Sequence, residues 1–359
     1  MTRVLHQFVP NFAAGDAIGV HVRLTQAALR AAGWESEIFY DDAQAAVRKL
    51  GRHFTTWEPD ADAWVLFQLS TGSRMTSFVL EAGVPFGVYF HNITPPLYFE
   101  RWEPGAAENL RTALADMRRL AANARFAIAN STFSEGDLIE AGYDPTTTSP
   151  VLLDAKELDG PYNHRLLQRL QRETAGGGKR WLFIGRAAPN KCQHDLIAAF
   201  AAYREFYDPK ARLTLVGGRT SNVYYRSLEI LADELGVSAA VEFTDTISDE
   251  EKLACYRAAD VFVCLSEHEG FKVPVVEAMH FGVPVVALAT SAVPETVADA
   301  GVLLDTKDPM VVAAAVDRVL TDDAVRADLV EAGRRRFDDF SLERSSRRLL
   351  DAIERFVAP

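Results

Sequence analysis

Short apolar runs that read as buried strands alternate with helical stretches along almost the whole chain, and this alternation runs its course twice. Succession of this kind builds parallel sheets covered by helices. The first pass opens with a strand at Val4–Val9, the loop Ala13-Ala14-Gly15-Asp16 and a helix from about Ala17 to Ala32. Asp16 is placed as its N-cap and Gly33 just past its end. Strands follow at Ser36–Tyr40, Ala63–Gln68, Phe86–Phe90, Phe126–Ala129 and Ser149–Leu153, with Ser131 or Thr132 capping the helix after Ala129. From about Asp154 to Lys179 the chain turns polar and ends in Gly176-Gly177-Gly178, which reads as a linker with a short helix. The second pass has strands at Trp181–Gly185, Arg212–Val216, Val241–Phe243, Val261–Leu265, Val285–Ala287 and Gly301–Leu304, with two long amphipathic helices closing the chain.

The expectation is an α/β protein with two doubly wound domains, 1–160 and 161–341, facing each other across a ligand cleft. A chain of 359 residues is too long for one ordinary core. With 48% hydrophobic and 25% charged residues, it is not a disordered or fibrous sequence. A formal net charge of -12 argues against a nucleic-acid partner. Arg111, Arg118, Arg119 and Arg125 lie along one expected helix, either as a solvated face or as a weak contact with an anionic membrane. Cys192, Cys255 and Cys264 lack zinc or redox spacing, so no metal site is expected and a reducing cytoplasm suits them. The first residues lack the apolar core of a secretory signal, and no apolar run reaches spanning length. A cytoplasmic location is therefore expected, with at most peripheral contact at the inner face of the membrane.

Ligands of open parallel sheets bind beyond the carboxyl ends of the strands, so the strand-to-helix loops carry the chemistry. Ser266-Glu267-His268-Glu269-Gly270-Phe271-Lys272-Val273-Pro274 follows one buried strand and leads into a helix that carries Glu277. Gly270 permits a tight bend, and the amides of Phe271, Lys272 and Val273 point out of the helix start, a natural anion site. Glu269 and Glu277 are expected to face the same cleft, where carboxylates can accept paired sugar or ribose hydroxyls. Gly185-Arg186 and Lys191 follow another strand and offer cations to a diphosphate. His91-Asn92 ends the strand Phe86–Phe90. The Gly15-Asp16 loop faces a helix start but lacks the G-x-G-x-x-G of a nicotinamide site.

Together these residues resemble the retaining glycosyltransferases of family 4, which have the GT-B fold. The spacing of Glu269 and Glu277, the run EAMHFGVPVVA after it, Gly185-Arg186 with Lys191, and Tyr-Arg-Ala-Ala-Asp at 256–260 carry the resemblance. It is dense over 181–305, while His91-Asn92 is similar to bacterial O-antigen and exopolysaccharide mannosyltransferases. The resemblance implies that Arg186 and Lys191 hold the donor diphosphate and Glu269 the sugar hydroxyls. It further implies that Phe271, Lys272 and Val273 supply amides, Glu277 holds the ribose, His91 lines the reacting face, and Gly15 and Asp16 approach the diphosphate or acceptor. The last helix, about 342–357, is expected to cross back onto the first domain. Departures are Ala14-Gly15 for paired glycines, Lys272 for the usual glycine, and Leu152-Leu153-Asp154 for Pro-Asn-Gly.

The implied reaction moves a hexose, mannose from GDP-mannose as first choice, to an acceptor hydroxyl on a glycan, a lipid-linked or a small molecule, with retained configuration. No Asp-x-Asp motif appears and no cofactor is implied. Alternatives are a UDP-glucose or UDP-N-acetylglucosamine donor and a non-catalytic nucleotide-sugar-binding protein. A retaining glycosidase is disfavoured, because a glutamate among cations is held ionised whereas a glycosidase acid must keep its proton.

Overall fold

The computed structural model describes residues 3–60 and 62–357. It falls into two compact units, each built on one parallel sheet.

The first unit comprises the chain up to Glu100, Pro104–Asp154 and the stretch from Phe340 onward. Its strands are β1 (Arg3–Phe12), β2 (Trp34–Glu35), β3 (Ile38–Ala43), β4 (Arg52–His53), β5 (Ala63–Leu69), β6 (Phe86–Phe90), β7 (Ala127–Ala129) and β8 (Thr146–Thr148). The order is β4-β3-β1-β5-β6-β7-β8, with β2 also paired to β1. Pairing is parallel throughout the described ladders, and the central strands β5, β6 and β7 read as near-continuous apolar runs. The order reverses between β1 and β5, which makes their carboxyl ends the switch point.

The helix Ala17–Ala31 is capped by Asp16, whose carboxylate accepts from the Gly19 amide at 2.6 Å, and it ends before Gly33 at φ 83°. Glycine is required at 19 because a Cβ there would stand 1.8 Å from the Ala13 carbonyl oxygen. The loop 13–16 therefore rests directly on the helix backbone. The closing helix Leu342–Val357 packs Leu349, Ala352, Ile353 and Val357 against Leu5, Leu29 and Trp34 in one apolar cluster of this unit.

The second unit comprises Arg101–Glu103 and Ala155–Asp339. Its strands are β9 (Arg180–Ile184), β10 (Arg212–Val216), β11 (Val241–Phe243), β12 (Val261–Cys264), β13 (Val285–Leu288) and β14 (Gly301–Leu304). They run β11-β10-β9-β12-β13-β14, so the switch point lies between β9 and β12. Residues 101–103 join this unit through Trp102, whose carbonyl accepts from Ser221 Oγ at 2.9 Å and whose ring meets Tyr224 edge-on.

Three expectations need correction. The strand placed at Ser149–Leu153 is Thr146–Thr148. Val151–Leu153 are buried but outside the ladder, because Pro150 has no N–H to donate and the Leu152 amide is spent on His21 Nδ1 at 3.0 Å. The linker at 154–179 is largely helical, Ala155–Leu158 and His164–Thr174. The second of these helices is tied to β9 by the buried Arg180, which donates to the Leu170 carbonyl at 2.9 Å and to Glu173 at 2.8 Å. Three helices, not two, close the chain: Pro309–Thr321, Asp323–Asp339 and Leu342–Val357. Asp322 leaves helical geometry at ψ 103° and caps the middle helix with its side chain.

Candidate functional site

The reversal of strand order in the second unit brings two loops together, 185–191 after β9 and 265–272 after β12. Backbone and side-chain bonds join them: the Glu267 amide donates to the Asn190 carbonyl at 2.9 Å, and Asn190 Nδ2 donates to the His268 carbonyl at 3.1 Å. The first loop is seated by glycine. A Cβ on Gly217 would lie 2.3 Å from the Gly185 oxygen, so the end of β10 can press against the turn that carries Arg186.

Lys191 Nζ donates to Glu269 Oε2 at 2.6 Å, and Lys272 Nζ stands 3.0 Å from Oε1. All three side chains are largely buried. Oε1 has no hydrogen-bond donor in good alignment, the Lys272 approach being close but off-axis. Burial alone would raise the Glu269 pKa, yet Lys191 and Lys272 outweigh it and hold the carboxyl down to about 2. Burial lowers the Lys191 pKa despite Glu269, and the neighbouring Lys272 ammonium adds to that. For Lys272, burial is outweighed by the Cys264 thiol and Glu269, and its pKa rises. His268 falls to about 4 through burial and the nearby Lys191.

Lys272 is the residue whose role the sequence conceals. It stands at φ 75°, left-handed backbone that explains why glycine is usual there, and it caps the helix Val273–His280. Its side chain turns inward over the Phe183 ring, 4.4 Å from the centroid, with Nζ 3.3 Å from the Ile184 carbonyl. In the first turn of that helix Pro274 has no N–H and the Val275 amide donates to the Lys272 carbonyl at 3.1 Å, which leaves the Val273 amide at the open end, the kind of end that suits an anion. Phe271 is buried, its carbonyl accepting from Thr296 Oγ1 at 2.6 Å, and Gly270 precedes it in the bend.

Glu277 is buried and doubly held, by Tyr256 Oη at 2.6 Å and Lys252 Nζ at 2.9 Å. Both partners lie on the helix Asp249–Ala258; Tyr256 opens the Tyr-Arg-Ala-Ala-Asp run, but its bond to Glu277 and the part of Lys252 were not read from the sequence. Arg186 is exposed at the mouth of its loop, its carbonyl accepting from Gln193 Nε2 at 2.9 Å. A cluster of metal-ligand types, Cys192, His194 and Asp195, lies behind the site. The Lys307 ammonium already bridges Asp195 and Glu267 there, and burial pushes the Cys192 thiol up to about 12. These groups act as a clasp on the loop 265–272.

In the first unit, His91 follows β6 and its Nε2 lies 2.7 Å from Gln68 Oε1; burial lowers its pKa to about 3. Gly15, at φ 74°, and Asp16 are exposed in the loop after β1, with Asp16 engaged as the helix cap. Of the arginines read as one basic stripe, Arg125 lies beyond the helix Pro104–Ala121, Arg111 pairs with Glu100 and Glu108, and Arg119 pairs with Asp116. No helix among the described residues is long and apolar enough to cross a membrane.

Two Rossmann-like units, with a cationic helix start at the switch point of the second, define a GT-B architecture, and residues 167–336 match the family model for glycosyl transferases group 1. D-inositol 3-phosphate glycosyltransferase of Salinispora arenicola is 34% identical over 247 residues, covering 64% of this chain and 55% of that protein. The protein of the same name from Corynebacterium urealyticum is 34% identical over 174 residues, covering 47% and 41%. The chain thus spans about half the length of these curated relatives. Among solved structures, Anabaena Alr3699/HepE in complex with UDP and glucose gives a TM-score of 0.77 at 18% identity, covering 98% of this chain and all of that one. Sucrose-phosphate synthase from Thermosynechococcus elongatus gives 0.77 at 22% identity, covering 99% and all of that chain. These likenesses establish the fold. The two relatives named here carry an inositol-phosphate name and not an O-antigen mannosyltransferase one, so the resemblance holds at the level of the group.

Proposed function

We propose that this chain is a retaining glycosyltransferase that moves a hexose from a nucleoside diphosphate sugar to an acceptor hydroxyl. The observation that carries this reading is Glu269. It is buried, held ionised between Lys191 and Lys272, and keeps one oxygen without an aligned donor. A carboxylate in that state suits a sugar hydroxyl, and the surplus ammonium beside it suits a diphosphate. In this reading Lys191, exposed Arg186 and the amides at Phe271, Lys272 and Val273 neutralise the charge that develops on the departing diphosphate. Gly185 and Gly270 let the backbone approach it, and Glu277 takes the ribose hydroxyls. His91, Gly15 and Asp16 serve the sugar and acceptor side. The same cations do the work for which other transferases use a metal ion, and no cofactor is invoked.

GDP-mannose is the donor that the His91-Asn92 pattern suggests. A UDP-sugar, with a phosphorylated inositol as acceptor, is the second reading. It is supported by the names of the relatives and by a structural neighbour crystallised with UDP-glucose. A cytoplasmic enzyme fits either donor, and the ion-paired Arg111 and Arg119 weaken the case for a peripheral membrane contact.

The deciding experiment incubates the protein with GDP-mannose, UDP-glucose and UDP-N-acetylglucosamine, with and without inositol phosphates, and follows nucleoside diphosphate release and product mass. Lys191→Ala or Glu269→Ala should cut turnover by about 100-fold or more while folding survives. Donor affinity without turnover on any acceptor would assign a binding protein instead. Absence of affinity for every nucleoside diphosphate would remove the site.

A further inference from the structure

Two glutamines sit wholly buried within strands of the first sheet, Gln7 in β1 and Gln68 in β5. Such residues must hydrogen-bond fully, and here they form a chain across three adjacent strands. Gln7 Nε2 donates to the Val22 carbonyl at 3.0 Å. Gln68 Nε2 donates to Gln7 Oε1 at 2.9 Å. Gln68 Oε1 faces His91 Nε2 at 2.7 Å.

The chain has a fixed direction because one end is a backbone carbonyl, which can only accept. The Val22 oxygen therefore requires the amide nitrogen of Gln7, which turns Gln7 Oε1 toward β5. That oxygen in turn requires the nitrogen of Gln68 and leaves Gln68 Oε1 to meet the imidazole. An amide oxygen cannot donate, so His91 Nε2 carries the hydrogen. A neutral imidazole has one N–H, and Nδ1 is left as a bare acceptor.

The groups packed around the ring do not change this assignment. His21 meets it edge-on at 5.2 Å between ring centres. Its Nδ1 accepts from the Leu152 amide at 3.0 Å, so its own hydrogen lies on Nε2, toward Thr25 Oγ1 at 3.3 Å. Tyr89, 4.8 Å from the His91 ring, sends its hydroxyl to the Ser149 carbonyl at 2.7 Å. Asn130 Nδ2 donates to the His91 carbonyl at 3.2 Å and not to the ring. Burial keeps both imidazoles neutral near pH 7. Among the described residues nothing donates to His91 Nδ1.

We propose that Gln7 and Gln68 are positioning residues that lock His91 in its Nε2–H tautomer, so that Nδ1 accepts a hydrogen bond from a ligand hydroxyl. The group recognised at His91 is then a neutral donor, and a phosphate oxygen, which would meet a lone pair, is rejected there. This assignment deepens the transferase reading and rests on it for the identity of the hydroxyl. The tautomer itself does not depend on any activity.

Long-range proton–nitrogen NMR on the full chain labelled with 15N-histidine reads the tautomer directly, with the His91 signals assigned by their loss in His91→Gln. The wild type should show protonated Nε2 and unprotonated Nδ1. Gln68→Met, which nearly keeps volume but cannot accept, should give a mixed or reversed tautomer, and Gln7→Met, which frees the Gln68 amide to turn, should do the same. In both folded variants kcat/KM should fall about 10-fold, the loss of one oriented hydrogen bond. A wild-type spectrum with hydrogen on Nδ1 overturns the proposal whether or not any variant folds. So does a tautomer that stays the same in Gln68→Met. A correct tautomer without turnover on any sugar nucleotide would instead count against the transferase reading and leave the relay standing.

Discussion

Lys191 Nζ and Glu269 Oε2 are joined at 2.6 Å across two loops that follow neighbouring strands of the second sheet. The second ammonium, Lys272, serves the same carboxylate, so the cluster holds two positive charges and one negative. Glu269→Gln should remove the only anion of that triad and leave two buried cations facing a neutral amide. Turnover should fall about 100-fold or more. Stability in urea should fall by about 3 kcal/mol. A variant with wild-type rates would show that Glu269 does not touch the donor.

Lys272 combines left-handed backbone with a buried ion pair, and two substitutions separate these. Lys272→Gly and Lys272→Ala both delete the ammonium, but only alanine keeps the steric cost of φ 75°. Glycine should be the more stable of the two by about 1 kcal/mol in chemical denaturation. Equal stability would mean that the backbone relaxes out of the left-handed region once the side chain is gone.

Stability should fall as the solution is acidified from pH 6.5. In the folded protein His91 titrates at about 3 and His268 at about 4, both well below the ordinary 6.5, and His21 is lowered too. The unfolded chain takes up these protons first, so the unfolded state gains as pH drops between 6.5 and 4. The slope is about 1.4 kcal/mol per pH unit for each such histidine. Glu269, depressed to about 2, adds a further loss only below about 4.5. Urea midpoints at pH 7, 6 and 5 measure this, and His91→Gln should flatten the profile by one proton. A stability independent of pH from 7 to 5 would contradict the buried neutral histidines.

Tyr256→Phe deletes the 2.6 Å hydrogen bond to Glu277 and leaves Lys252 as its partner. The stability cost should be about 1 kcal/mol. If Glu277 holds the ribose, KM for the donor should rise about 10-fold with kcat nearly unchanged, the mark of lost uniform binding. A fall in kcat alone would place Glu277 closer to the reacting bond.

Most of the second sheet is legible in the sequence because its strands are mostly apolar runs bounded by turn residues. Val241–Phe243, Asp249–Ala258 and Gly301–Leu304 begin and end where the pattern says. Val151–Leu153 misled because they are apolar for packing and not for pairing. The meeting of Lys191 and Glu269 follows from both lying at strand ends, but their adjacency required the sheet order β10-β9-β12, a property of long-range topology. A lysine in a loop reads as a solvated cation, and only the left-handed turn at Lys272 sends it inward. Gln7 and Gln68 did leave a signal, one amide in each of the mostly apolar runs Val4–Val9 and Ala63–Leu69, but its meaning depends on the register between β1 and β5.

The helix Leu342–Val357 completes the apolar cluster around Leu5, Leu29 and Trp34, yet it is made only after the whole of the second unit. A ribosome adding about 5–20 residues per second needs roughly 10–40 s to pass through the stretch 155–339 that intervenes. During that interval the nascent first unit lacks one wall of its interior. Its closure thus waits on the synthesis of the second unit, and a holdase that shields Leu5, Leu29 and Trp34 would find its substrate in that window.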